Sequence, residues 1–121
     1  DVLIDLLRGH PGARSWSTSL GGDRMAIVGF SAIELYAGCR STADQRPVDQ
    51  LIARCQLFWP SEFSMRAALN AYRRLQLRAG VGANDTFIAF TAIELHLPLH
   101  TFNLKHFSQF ERLRTLQPYT R

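Results

Sequence analysis

Asn84-Asp-Thr-Phe-Ile-Ala-Phe-Thr-Ala-Ile-Glu-Leu-His-Leu-Pro-Leu-His-Thr-Phe-Asn103 is the stretch that decides the fold. It reads as a helix opening on a carboxylate, a short turn, and a buried strand that runs into a polar loop. Asn84 or Asp85 offers a side-chain oxygen to the first free backbone N–H groups, and negative charge suits that helix end. Phe87, Ile88, Phe90, Ala92, Ile93 and Leu95 make the helix apolar around most of its circumference, which predicts deep packing. Pro98 forbids further helix, and residues 97–101 fit a short buried strand. A carboxylate at the mouth of so apolar a helix, followed at once by a strand, is the pattern of sites at the carboxyl edge of a parallel sheet.

The remaining chain repeats that alternation. Residues 2–8 read as a helix stopped by Gly9-His10-Pro11-Gly12, and Pro11 sits in the first turn of a second helix reaching Leu20. Gly21-Gly22-Asp23 is a turn, and residues 24–30 form a buried strand. Ser31 and Glu34 have the spacing of a capping box, which places a helix over residues 32–37 that Gly38 ends. Val48, Leu51, Ile52 and Cys55 recur at helical spacing, and residues 57–59 form a strand stopped by Pro60. Ser61 or Ser64 caps the longest helix, which ends at Gly80. Strands followed by helices, several times over, predict a single α/β domain over residues 1–121 with a parallel sheet.

Composition narrows the partners. The chain has 121 residues, 46% of them hydrophobic, enough for one compact core. No run of about 18 apolar residues exists, so a membrane span is not expected. Cys39 and Cys55 both lie in apolar surroundings and read as core thiols of a reducing cytoplasm. A net charge of +4 favours an anionic partner, with nucleic acid the commonest. On the longest helix Leu69, Tyr72, Leu75 and Leu77 share one side, while Arg66, Arg73, Arg74 and Arg78 fall within an arc of roughly 140° on the other. That arc is either a solvated basic face or a phosphate-tracking stripe.

Asp85, Glu34 and the loop from Thr101 all fall where strands end and helices begin, and Asp1 stands just before the first helix. Acids converging from separate segments suggest a hard-cation site, since Mg2+ takes oxygen ligands. Taken one at a time, each acid has an ordinary reading: helix-end charge for Asp85, capping partner for Glu34, charged terminus for Asp1. Glu94 lies nine residues after Asp85, about 180° around the helix, and cannot join it. The near-identical hexapeptides at 30–35 and 90–95 stand in different contexts and are not a repeat. The histidines show no ligand spacing, and no Gly-rich phosphate loop or nucleophile elbow is present.

Four segments together carry a resemblance: Val2-Leu-Ile-Asp-Leu-Leu-Arg-Gly9, Ser31-Ala-Ile-Glu-Leu-Tyr-Ala-Gly38, Asn84-Asp-Thr-Phe-Ile-Ala-Phe-Thr-Ala92 and Leu97-Pro-Leu-His-Thr-Phe-Asn-Leu-Lys-His-Phe107. In order and spacing they resemble a PIN domain, specifically the VapC-type ribonuclease toxins of bacterial toxin–antitoxin pairs. The resemblance implies a three-layer α/β/α sandwich with a mainly parallel sheet and cleavage of RNA dependent on Mg2+ or Mn2+. It also implies a cytoplasmic protein, a cognate antitoxin whose tail fills the acidic cleft, and a homodimer. Glu34 matches the family's glutamate, Asp85 the aspartate opening its late helix, and Asn103 the position after the last strand. These are the expected catalytic residues, with Asp85, Glu34 and Asp1 as metal ligands. Asp1 aligns with the third position of the family's first motif, so the first strand and its aspartate are expected before residue 1. Arg66, Arg73, Arg74, Arg78 and Lys105 are the expected RNA-steering residues. The alternative is a non-catalytic PIN-like module that binds RNA or a protein.

Overall fold

The structure, a computed structural model, describes residues 1–21 and 25–121. The predicted turn at Gly22-Asp23 and a strand start at Arg24 lie outside the described residues. Two compact units are present: Asp1–Phe58 together with Pro118–Arg121, and Trp59–Gln117.

In the first unit the order is α1 (Val2–Leu7), α2 (Pro11–Ser19), β1 (Ala26–Val28), α3 (Gly29–Ala37), α4 (Thr42–Ala53) and β2 (Gln56–Phe58). Strands β1 and β2 pair in parallel, Ala26 opposite Gln56 and Val28 opposite Phe58, with two helices carrying the chain from one to the other. Ile27, Ala32 and Cys55 form the core, with Leu3, Met25, Leu51 and Ile52 packed on it. An open cleft of about 580 Å3 is lined by residues that include Leu6, Leu7, Met25 and Leu51 together with Arg14 and Arg54.

Local chemistry differs from the expectation at two helix starts. β1 ends at Val28, and Gly29 and Phe30 already belong to α3, whose N-cap Val28 has no side-chain oxygen to offer. Ser31 and Glu34 therefore lie inside the helix, and the predicted capping box between them does not form. A variant of the box stands at α4, where the return bond goes to the residue before the N-cap. Ser41 accepts the Asp44 N–H at 3.1 Å, and Asp44 reaches back to the Arg40 N–H at 2.9 Å. With its start so secured, α4 runs through Pro47, which removes one intrahelical donor but does not end the helix.

Asp5 is buried on α1 and is met by the end of the chain. Arg121 grips it with a two-pronged fork, Nε to Oδ2 at 2.9 Å and Nη2 to Oδ1 at 3.1 Å, and the Tyr119 hydroxyl donates to Oδ2 at 2.7 Å. The Tyr119 ring stacks on His10 at 5.5 Å and tilts against Trp16. A Cβ at Gly12 would come within 2.8 Å of that ring, so glycine is what lets it approach. Arg121 and then Tyr119 hold the Asp5 carboxyl down to about 2, while burial and Asp5 push the Tyr119 hydroxyl up to about 12.

The second unit contains α5 (Glu62–Ala79), α6 (Ala83–Leu95), β3 (Leu99–His100), α7 (Leu104–Phe107) and β4 (Thr115–Leu116). Strands β3 and β4 also pair in parallel, Leu99 opposite Thr115 and His100 opposite Leu116. The α/β expectation with parallel pairing holds in both units. Helix α5 packs along α6, and the face it buries is Ser64, Ala68 and Ala71. Leu69 and Leu77, expected on the apolar side, are 62% and 81% exposed. Small residues at spacing 4 and 3 allow close helix approach, and that geometry outranks side-chain hydrophobicity in choosing the face. Gly80 ends α5 in the left-handed region at φ 64°. On α6 the buried Thr86 and Thr91 return their hydroxyls to Gly82 O and Phe87 O, which satisfies them inside an apolar helix.

The Asp5 clasp sets an acid-dependent contribution to stability. A carboxyl depressed in the folded state stabilises fully above its ordinary value near 3.8 and loses that contribution as pH falls through about 2. Arg121→Ala should therefore lower the thermal midpoint at neutral pH, and the gap to the parent should close as pH falls from 3.8 toward 2. Equal midpoints at neutral pH would show that the clasp contributes no net stability.

Candidate functional site

Asp85 sits in the first turn of α6, but it does not cap the helix. The N-cap is Gly82, without a side-chain bond. The Asp85 carboxylate turns instead to His106, whose Nδ1 lies 3.2 Å from Oδ2. Asn103 occupies the N-cap position of α7 and also leaves that role to others, with its Nδ2 3.0 Å from the same ring nitrogen. The Asn103 backbone is fixed separately, because its N–H donates to Oγ1 of the buried Thr101 at 3.0 Å. Asp85 and Asn103, expected together in the site, are brought together around His106. The pair is open to solvent: the Asp85 and His106 side chains are 27% and 37% exposed.

The other expected residues belong to different surroundings. Glu34 lies in the first unit, exposed on α3. Asp1 is the N-cap of α1, its Oδ1 accepting the Val2 N–H at 2.6 Å, so that oxygen serves its own helix. Among the described residues, no group of three or more His, Cys, Asp or Glu side chains is placed to hold a metal ion. On α5, Arg66 pairs with Glu62 at 2.9 Å on the surface, and Arg74 Nε reaches Asn70 O at 3.4 Å. Arg73, Arg78 and Lys105 are exposed.

Residues 1–113 match the PIN domain family. The chain is a PIN-domain protein. Its sequence is 41% identical over 118 residues to Ribonuclease VapC10 of Mycobacterium tuberculosis, from strains CDC 1551 and H37Rv alike, covering 94% of this chain and 86% of the relative. Its fold is similar to a solved structure of VapBC-1 from nontypeable Haemophilus influenzae, with a TM-score of 0.72 and 23% identity over 94% of this chain and 91% of that one. The PIN-like fold read from four sequence segments is therefore the fold the chain has. No helix among the described residues is long and apolar enough to cross a membrane.

Two polar residues have roles that sequence reasoning misses. Ligand spacing among the histidines does not point to His106, yet it stands three residues after Asn103 on the short helix that follows β3. That i, i+3 relation is the signal that could find it. Glu94, correctly separated from Asp85, has a structural role of its own. It accepts from the Ser61 and Ser64 hydroxyls, the latter at 2.7 Å, and from the Ser61 N–H at 3.3 Å. Ser61 is the N-cap of α5. Glu94 thus takes the part that a capping-box glutamate would play, but reaches across from the far end of α6.

The hydroxyls of Ser61 and Ser64 hold the Glu94 carboxyl below its usual range. Its contribution is then present above the ordinary glutamate value and is lost as pH falls through the folded one. Glu94→Gln keeps an oxygen for the two hydroxyls but sets its amide N–H2 against the Ser61 N–H and removes the charge, and should cost about 1 kcal/mol, the usual value of a cap. The check is a denaturant titration at neutral pH and again in acid. The difference from the parent should shrink in acid, and an unchanged midpoint at neutral pH would remove Glu94 from the stability of the α5 start.

Proposed function

We propose that this chain is a metal-dependent endoribonuclease, the toxin half of a VapBC-type toxin–antitoxin pair. The observation that carries the reading is the meeting of Asp85 and Asn103 at His106, in a chain 41% identical to a ribonuclease over nearly its whole length. The donor set fits Mg2+ or Mn2+. Asp85 offers carboxylate oxygen and Asn103 amide oxygen, both hard donors, and Mg2+ is commonly held by one or two carboxylates while keeping several waters. The chemistry supplied there, with the cation bound, is activation of a water and stabilisation of charge on the scissile phosphate.

Asp85 and Asn103 hold the cation in this reading, and Glu34 is a further catalytic carboxylate by its match to the family pattern. Asp1 is assigned to capping, since its Oδ1 faces the Val2 N–H. Arg66, Arg73, Arg74, Arg78 and Lys105 steer RNA by charge, with no sequence preference of their own. Both units act as one catalytic domain, supported by a single family match across residues 1–113. The antitoxin is the protein partner, and the first-unit cleft, lined by polar and apolar side chains with Arg14 and Arg54 among them, suits an amphipathic acidic segment of it. Phe63, Leu69 and Leu77, exposed on α5, support a homodimer. An RNA-cleaving toxin of this kind works in the cytoplasm, where its substrate is. A non-catalytic PIN-like module is the second reading, favoured by Asn103, which brings no charge to the site.

The deciding assay incubates the purified chain with a structured RNA and Mg2+ or Mn2+. Cleavage should depend on the metal and stop in EDTA. Asp85→Asn and Glu34→Gln should each reduce the rate by more than about a hundredfold, the upper range for losing a merely supporting group. Glu94→Gln, assayed below its thermal midpoint, should cleave at close to the parental rate. Cleavage that persists in EDTA, or an Asp85→Asn variant as fast as the parent, would sink the enzyme reading.

RNA binding tests the basic face separately. Replacing Arg73 and Arg74 with Ala should weaken binding across sequences and flatten the dependence of log K on log salt. The slope should fall by about one unit for each phosphate that is no longer neutralised. An unchanged slope returns this face of α5 to a solvated surface.

A further inference from the structure

We infer that His106 is the positioning residue of this site: its Nδ1 faces the Asp85 carboxylate and the Asn103 amide, two oxygen donors from two helices, and holds one of them in place before a cation arrives. The inference rests on the metal reading above and goes beyond it, because His106 itself is given no part in holding the ion.

Asp85 and Asn103 are both of the residue types that ordinarily cap helices, and each stands at a helix start. Neither side chain bonds to its own helix end. Both turn to a single atom, His106 Nδ1, at 3.2 and 3.0 Å. One ring nitrogen has either a proton or a lone pair to offer. With the proton it donates to Asp85 Oδ2, and with the lone pair it accepts from Asn103 Nδ2. In either state it fixes one of the two donors and stands against the other.

The imidazole can set these positions only if its own is set. Helix α7 has four residues, too few to be stable alone, so packing must hold it. Phe107, the next residue, is buried and tilts against Phe110, and Phe110 meets Phe90 of α6 edge-on at 6.0 Å. The aromatic contacts tie α7 to the helix that carries Asp85, while Thr101 holds the Asn103 backbone. These contacts fix the backbone of α7 relative to α6, and from it the His106 side chain, 37% exposed, reaches both donors. Groups that orient metal-binding side chains in this way are typically worth 10–100-fold in metal affinity.

The test measures Mn2+ binding to the whole chain without RNA, by the loss of the free-ion electron paramagnetic resonance signal. The chains compared are the parent, Asp85→Asn, His106→Ala, His106→Asn and His106→Gln, with a thermal midpoint for each. His106→Ala and His106→Gln should raise the Mn2+ dissociation constant by about 10–100-fold with little change in midpoint. His106→Asn, whose amide nitrogen can stand where Nδ1 stood, should restore affinity close to the parental value. Should His106→Ala lower the midpoint, the Asn and Gln variants, alike in polarity, still decide by their difference. Parental affinity in His106→Ala, alongside lost binding in Asp85→Asn, would overturn the positioning role and leave the metal reading standing. Equal affinities in the Asn and Gln variants would overturn the role of Nδ1. A parent that binds no Mn2+ would overturn the metal reading and this inference together.

Discussion

Helix α6 is apolar around nearly all of its surface, and that constrains where it can carry charge. A helix of this kind has to be covered, so its carboxylates can survive only near its ends and only with partners. Asp85, in the first turn, is held by the His106 ring, and Glu94, in the last, is held by Ser61 and Ser64. The two acids are nine residues apart and point to opposite sides. One end of α6 therefore contributes to the candidate site and the other stabilises the start of α5. A single buried helix links the stability of the second unit to the geometry of its polar edge.

The acids of this chain sort by how many donors they collect. Asp5 takes three hydrogen bonds from Arg121 and Tyr119, and Glu94 takes three from Ser61 and Ser64. Both are pulled below the ordinary carboxylate range, because every donor favours the charged form. A cation approaching either would have to displace bonds already made. Asp85 has one ring nitrogen, shared with Asn103, and keeps coordinating capacity unspent. The satisfied acids hold the fold, and on the proposed reading the sparingly held one is the acid that takes a cation.

Much of this architecture is legible in the sequence wherever a residue acts on its own backbone. Gly80 and Pro11 mark the helix boundary and helix start that their conformations dictate, and β1, β2 and β3 fall within a few residues of their expected places, whereas the two-residue β4 at Thr115–Leu116 is not among the expected strands. Reading fails where the partner is distant in sequence. A local pattern can also mislead: Glu34 has the spacing of a capping box after Ser31, but Val28 opens α3, and the reciprocal cap is at α4, between Ser41 and Asp44. The burial of Asp5 depends on a residue 116 positions later, which no local pattern reports. Leu69 and Leu77 lose the buried face of α5 to Ala68 and Ala71, because helix separation is a property of two helices and not of one. The family pattern names Asp85 and Asn103, which the structure brings to one ring nitrogen, whereas His106 cannot be found by searching for ligand spacing.

The neutral Asn103 follows from the same logic. A second carboxylate close to Asp85 would repel it unless a cation were always present, and that repulsion would be carried by the folded state. An amide supplies an oxygen of similar reach at no cost in charge, and its nitrogen can bond to the imidazole that also faces Asp85. On the metal reading, the consequence is a cation held by few protein charges. Mg2+ bound in that way takes its remaining ligands from water and substrate phosphate. Binding of metal and binding of RNA would then strengthen one another, and preset donors matter more in such a site than in one crowded with acids. On that reading, the imidazole where α6 and α7 meet has a physical reason to be there.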